Sequence, residues 1–151
     1  MEKSTIERSI WIDAPRERVW KAITDPAHIE QWFSPGTQWH GTGLEVGGKI
    51  FVYNPETATE MYTQIIEVVD PPHQLVTRSA PEPPAIPEVT TWTLEEENGG
   101  TRLTLSYTGY EALPADVRRQ RLEQDGIGFT MVLENVKAQV EERALPYPQG
   151  F

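Results

Sequence analysis

Residues 125–144, DGIGFTMVLENVKAQVEERA, decide the fold. Phe129, Val132, Leu133, Val136 and Val140 recur at helical intervals and share one face, while Glu134, Lys137, Glu141 and Glu142 lie mostly elsewhere. The pattern turns helical after Leu113-Pro114, and Asp125 is placed to cap the long helix. Gly126 and Gly128 are tolerable near such a start, or mark a break after residues 115–124. Pro146 and Pro148 end it, and Glu141-Glu142-Arg143 reads as a solvated helix end. A helix over 125–144 spans about 30 Å, enough to cross a small sheet. Such a stripe needs a partner to bury it.

The partner is read upstream. Residues 89–96 and 101–108 are two β-rich runs joined around Asn98-Gly99-Gly100, and Asn-Gly suits the positive φ angles of a tight hairpin. On the second run Leu103, Leu105 and Tyr107 alternate with Arg102, Thr104 and Ser106, one buried face against one polar face. Further back, strands are expected at 50–53, 60–69 and 75–79, separated by Asn54-Pro55-Glu56 and Asp70-Pro71-Pro72. The Pro-rich segment 81–87 is expected to be a loop between strands, overhanging a cavity entrance.

The first third opens with a strand over 5–13, with Ile6, Ile10 and Ile12 on one side. Asp13-Ala14-Pro15 offers a cap and a first-turn proline for a short helix carrying Val19, Trp20 and Ile23. Thr24-Asp25-Pro26 ends it and starts a second, in which Ile29, Trp32 and Phe33 share a face before Ser34-Pro35-Gly36 stops the turn. Strand, two short helices, antiparallel strands and a long amphipathic helix make an α+β domain, a curved sheet of about six to seven strands around the last helix.

Composition narrows the function. The 151 residues fit one domain, residues 1–151, with large apolar side chains enough for a core. A net charge of −10 disfavours nucleic acid and anionic membrane surfaces, both of which need Lys and Arg. Cysteine is absent, which excludes disulfides, thiolate catalysis and Cys-ligated zinc. No apolar run is long enough to span a bilayer, and Met1-Glu2-Lys3-Ser4-Thr5 lacks the apolar stretch of a signal peptide; a cytoplasmic protein is expected.

No complete catalytic set is visible. His28, His40 and His73 lack metal-ligand spacing, and His73, after Pro71-Pro72, reads as an exposed turn residue. There is no Gly-x-Ser-x-Gly elbow, Gly41-Thr42-Gly43 lacks the spacing and lysine of a phosphate loop, and Glu95-Glu96-Glu97 reads as a solvated hairpin flank. Neither a metal nor a cofactor is expected. The aromatics say more. Trp92 shares parity with Leu94, and Tyr107 with Leu103 and Leu105, so both face inward as core or as pocket wall; the mixed pattern around Tyr62 leaves its face open.

Several stretches are familiar in this order. Residues 13–20, Thr24-Asp25-Pro26 and Trp32-Phe33 resemble the opening of START-like helix-grip proteins. Val46-Gly47-Gly48-Lys49, Val69-Asp70-Pro71-Pro72, residues 100–105 and Gly128-Phe129 fall where similar signatures occur in the family of the carboxy-terminal domain of the activator of the heat-shock-protein-90 ATPase. The resemblance runs from Ile6 to Ala144 and implies a cavity between sheet and last helix, without a fixed catalytic set. Trp39, His40, Tyr62, Trp92, Tyr107, Phe129, Val132 and Val136 are expected to line it. The partner implied is a small apolar molecule. An enzyme of cyclase or dehydratase type using the same cavity is the alternative. A co-chaperone-like interaction module is a third reading, for which the chain carries no second, partner-binding domain.

Overall fold

The computed structural model describes residues 5–33, 38–79 and 88–148; the stop expected at 34–36 and the Pro-rich loop at 81–87 lie outside the described residues. Seven strands form one antiparallel sheet: β1 (Ile6–Ile12), β2 (Trp39–Gly41), β3 (Lys49–Asn54), β4 (Thr59–Asp70), β5 (Gln74–Ser79), β6 (Val89–Glu97) and β7 (Gly100–Thr108), in the order β1-β7-β6-β5-β4-β3-β2. Helices α1 (Arg16–Thr24) and α2 (Pro26–Phe33) follow β1, and α3 (Ala115–Val140) closes the fold. The sheet curves around α3, as expected.

The local causes are visible. The β6–β7 hairpin turns on Asn98 at φ 49° and Gly99 at φ 79°, both in the left-handed region that a two-residue turn needs. Asp25 caps α2, its Oδ1 accepting the Ala27 N–H at 3.0 Å. Asp13 does not cap α1. That helix starts at Arg16, and the Asp13 N–H donates to Glu141 Oε2 at 2.9 Å instead.

Helix α3 begins directly after Pro114, where the pattern turns helical, and departs from expectation at Asp125 and at its end. It is one continuous helix of 26 residues, starting ten residues before Asp125, and Asp125 lies inside it as a side-chain hydrogen-bond partner. Gly126 marks no break. It faces Arg8 of β1, whose Nη2 would lie 2.6 Å from a Cβ added there, so the glycine gives the arginine room under the helix. The stop comes at Val140, four residues before Ala144. Arg143 N–H reaches back to the Ala138 carbonyl at 2.8 Å, with Glu142 at φ 59°, the Schellman arrangement that ends helices.

Packing follows the stripe. Leu133, Val136 and Val140 are buried against Ile12, Leu103 and Leu105, with Val19 and Ile23 of α1 in the same core. Glu141, expected to be solvated, is instead a bridge. Its carboxylate accepts from Asp13 N–H, from Lys137 Nζ at 2.8 Å and from Arg143 at 2.6 Å, pinning the end of α3 to the β1–α1 junction.

That bridge has a pH signature. Burial alone would raise the Glu141 carboxyl, but the Asp13 amide, Lys137 and Arg143 outweigh it and hold it below its ordinary 4.5. The folded state therefore binds fewer protons than the unfolded one below that pH, and its stability falls with acidification through the native value. Glu141→Gln is expected to flatten the acid limb of a melting-temperature profile as the pH falls below the ordinary carboxyl value of 4.5. An unchanged acid limb would assign the loss to other carboxylates.

Candidate binding cavity

The concave face of the sheet and the inner faces of α2 and α3 do not close completely. They leave a cavity of about 210 Å³. Strand alternation supplies its floor: Leu75 and Thr77 from β5, Thr90 and Trp92 from β6, Leu105 and Tyr107 from β7. Ile29, Trp32 and Phe33 of α2 form one wall, Phe129 and Val132 of α3 another, and Trp39, Ile50, Tyr62 and Gln64 come from the β2–β4 side.

Aromatic contacts fix the walls. Trp32 meets Trp92 and Phe33 edge-on, with centroids 6.2 and 6.0 Å apart, and Phe33 meets Trp39 at 5.1 Å. Across the cavity Tyr107 meets Phe129 at 4.9 Å. Edge-on pairs of this kind leave little freedom to collapse into the space.

Polar groups are few. Thr77 Oγ1 donates to Gln64 Oε1 at 3.1 Å. Tyr107 O–H donates to Glu88, and Arg121 pairs with Glu88 at 3.3 Å and with Asp125 at 3.2 Å. Tyr110 O–H donates to Asp125 at 2.5 Å. Burial first, then the hydrogen bond to Glu88, pushes the Tyr107 phenol well above its ordinary value; burial and Asp125 do the same for Tyr110. Both are neutral phenols near pH 7. Ser79 and Glu88 meet at the base of the Pro-rich segment, Ser79 N–H donating to the Glu88 carbonyl at 2.9 Å and Glu88 N–H to Ser79 Oγ at 2.8 Å.

Of the eight residues expected to line the cavity, Trp39, Tyr62, Trp92, Tyr107, Phe129 and Val132 come together there. His40 does not. It follows Trp39 on β2, so it points to the other face, exposed, with its ring near Phe51 and Tyr53. Val136 is fully buried in the core and outside the lining. Tyr62 sits at the rim, 63% exposed, at φ 53° in a bulge where β4 passes from Met61↔Val52 to Gln64↔Ile50. His73 is exposed in its turn, as expected, with Nδ1 2.9 Å from Arg16 Nη1.

Sequence reading missed Gln64, because the bulge breaks the alternation that would have assigned its face. It also missed Asn135, which sits between Val132 and Val136 on the inner face of α3 and is fully buried. Its Nδ2 donates to the carbonyls of Trp32 and Tyr147, both at 2.9 Å, and its Oδ1 accepts the Tyr147 N–H at 3.0 Å. A polar residue at an apolar spacing was the available signal.

A larger open cleft, about 530 Å³, lies on the other side of Ile50, under α1 and the 41–49 loop. Charged side chains, Glu17, Lys21, Asp25 and Lys49, share its lining. Its mixed charge gives an apolar ligand less reason to leave water than the aromatic-walled cavity does. Among the described residues, no group of three His, Asp or Glu is placed to hold a metal, and no helix is long and apolar enough to cross a membrane.

An antiparallel sheet curved around a long last helix, with two short helices after the first strand and a cavity between, defines the START-like helix-grip class. Within it, the chain belongs to the family described as Activator of Hsp90 ATPase homolog 1-like protein, whose profile matches residues 13–141. A search of curated proteins returns no sequence match. Among solved structures, CalU16 from Micromonospora echinospora is 26% identical with a TM-score of 0.67, covering 90% of this chain and 75% of that one. Protein MLL2253 from Mesorhizobium loti is 21% identical with a TM-score of 0.72, covering 93% and 99%. The Aha1 dimer from Colwellia psychrerythraea is 17% identical with a TM-score of 0.72, covering 98% and 100%. The last two show likeness of fold.

Proposed function

We propose that this protein binds or carries a small, largely apolar molecule in the cavity between the sheet and α3. The observation that carries the reading is an aromatic-walled space with no charged residue in its lining among the described residues. An apolar cavity of about 150 Å³ takes benzene, so one of 210 Å³ suits a bicyclic aromatic. The acidic surface, net −10, fits such a ligand better than nucleic acid and accords with a cytoplasmic setting.

An enzyme of cyclase or dehydratase type remains the second reading, favoured by the Tyr107–Glu88–Arg121 cluster at the cavity wall. Against it, the Tyr107 proton is already committed to Glu88, and its raised pKa makes it a weak acid for proton transfer near neutrality. A protein-docking role has less support: the exposed large apolar side chains, such as Val46, Val68, Val117 and Ile127, are scattered over several elements.

Naphthalene, followed by tryptophan fluorescence, tests the reading. Saturable binding is expected for the parent. Val132→Phe should fill the space and weaken binding by about tenfold or more, with the melt still cooperative and little shifted. If the region is ordinary core, the parent shows no saturable binding and the variant loses ~1–3 kcal/mol through overpacking.

A further inference from the structure

One buried hydrogen-bond donor in the cavity walls has no acceptor among the described residues. The indole nitrogen of Trp39 is buried without a hydrogen-bond partner among the described residues. Two other indoles are satisfied: Trp11 Nε1 donates to the Glu97 carbonyl at 2.7 Å, and Trp32 Nε1 to the Ala22 carbonyl at 2.8 Å. An indole N–H can only donate, and a buried donor left unmatched is costly enough to call for an explanation. A less buried donor near it is the Gln64 side chain. Thr77 takes up its Oε1, and its Nε2 makes no hydrogen bond among the described residues.

The two donors belong to one end of the cavity. Trp39 pairs with Val52 and Gln64 with Ile50, so both stand on the concave side of the β2–β4 edge, with β3 between them. Tyr107, on β7 towards the opposite edge of the sheet, has its proton committed to Glu88. Of the donors in the lining, the Trp39 indole at the β2–β4 end is the one both buried and unmatched among the described residues. Among the described residues no cation lines the cavity, so an anionic acceptor would lose its hydration without a counter-charge. Trp32, Phe33 and Trp92 beside this end favour flat, polarisable surface.

We infer that the ligand is a neutral aromatic molecule bearing a hydrogen-bond acceptor oxygen, of the ketone type, at the end that meets Trp39 and Gln64. This rests on the reading that the cavity binds a ligand, and it adds the ligand's polarity and orientation.

The test uses two probes of nearly equal volume, 2-acetylnaphthalene and 2-ethylnaphthalene, titrated into the full chain. Gln64→Met and Trp39→Phe keep the bulk and remove one donor each. The ratio of ketone to hydrocarbon affinity is expected to fall by about tenfold in either variant, with hydrocarbon binding retained. In the parent, the indole N–H resonance of Trp39 should shift with the ketone and stay in place with the hydrocarbon. That second measurement decides the matter if a variant does not fold. If both probes bind and neither the ratio nor the indole resonance responds to the oxygen, the acceptor inference is overturned while the cavity reading stands. If neither probe binds, both go.

Discussion

Val136→Asp is expected to abolish a stable fold. Val136 has no exposed surface, and it sits where the stripe of α3 meets the sheet and α1. Breaking the pairing of a buried charge costs about 3–5 kcal/mol, and a carboxylate here would have no partner at all. Protonation would spare the charge, but it leaves a buried carboxylic acid in an apolar site and removes the valine's packing. Against a typical total stability of about 5–15 kcal/mol, that is a large fraction. In a urea titration the midpoint should move down by about 2 M or the folded baseline should vanish. A midpoint matching the parent would mean that α3 does not pack as described, and the helix-grip architecture would be wrong at its centre.

How much of this was legible depended on regularity. The β6–β7 hairpin could be read because Asn98-Gly99 supplies two positive φ angles and the flanking strands alternate without interruption. For the same reason Trp92 and Tyr107 were assigned the correct face. The buried half of α3 was equally plain. Its first three turns read as helical after Leu113-Pro114, but Arg118, Arg119, Arg121 and Glu123 carry no apolar period, so their continuity with the rest across Gly126 and Gly128 could not be read.

The edge of the sheet was the least legible part. Strand β2 has three residues, too few for a period, so Trp39 and His40 could not be separated by face, although adjacent strand residues must point opposite ways. Strand β4 shifts register between its pairings with β3 and again with β5, near Ile66 and Val68. Each shift reverses the parity that a sequence reading extrapolates. The site was therefore half visible: its β6, β7 and α3 walls follow from alternation and helical spacing, whereas the donor-bearing β2–β4 end depends on bulges.

Asn135→Leu should be the second most damaging of these changes. The substitution keeps the side-chain volume roughly constant and matches the apolar residues around it, so by hydrophobic pattern alone it ought to stabilise. The hydrogen bonds argue the opposite. Asn135 spends both amide protons and its carbonyl on backbone groups: the Trp32 carbonyl at the end of α2, and the carbonyl and N–H of Tyr147 beyond α3. Leucine would leave these three groups without their partner, at about 1–3 kcal/mol for each that stays dry; with some reached by water, a total of about 2–4 kcal/mol is expected. The damage should also reach the cavity, because the Trp32 backbone is held by Asn135 while its ring packs on Trp92 and Phe33. Thermal unfolding measures the first effect, and hydrogen exchange at the Tyr147 amide, accelerated in the variant, locates it. Naphthalene affinity should fall together with stability. A variant as stable as the parent, with a protected Tyr147 amide, would show that Asn135 only fills volume and that something else holds α2 against α3.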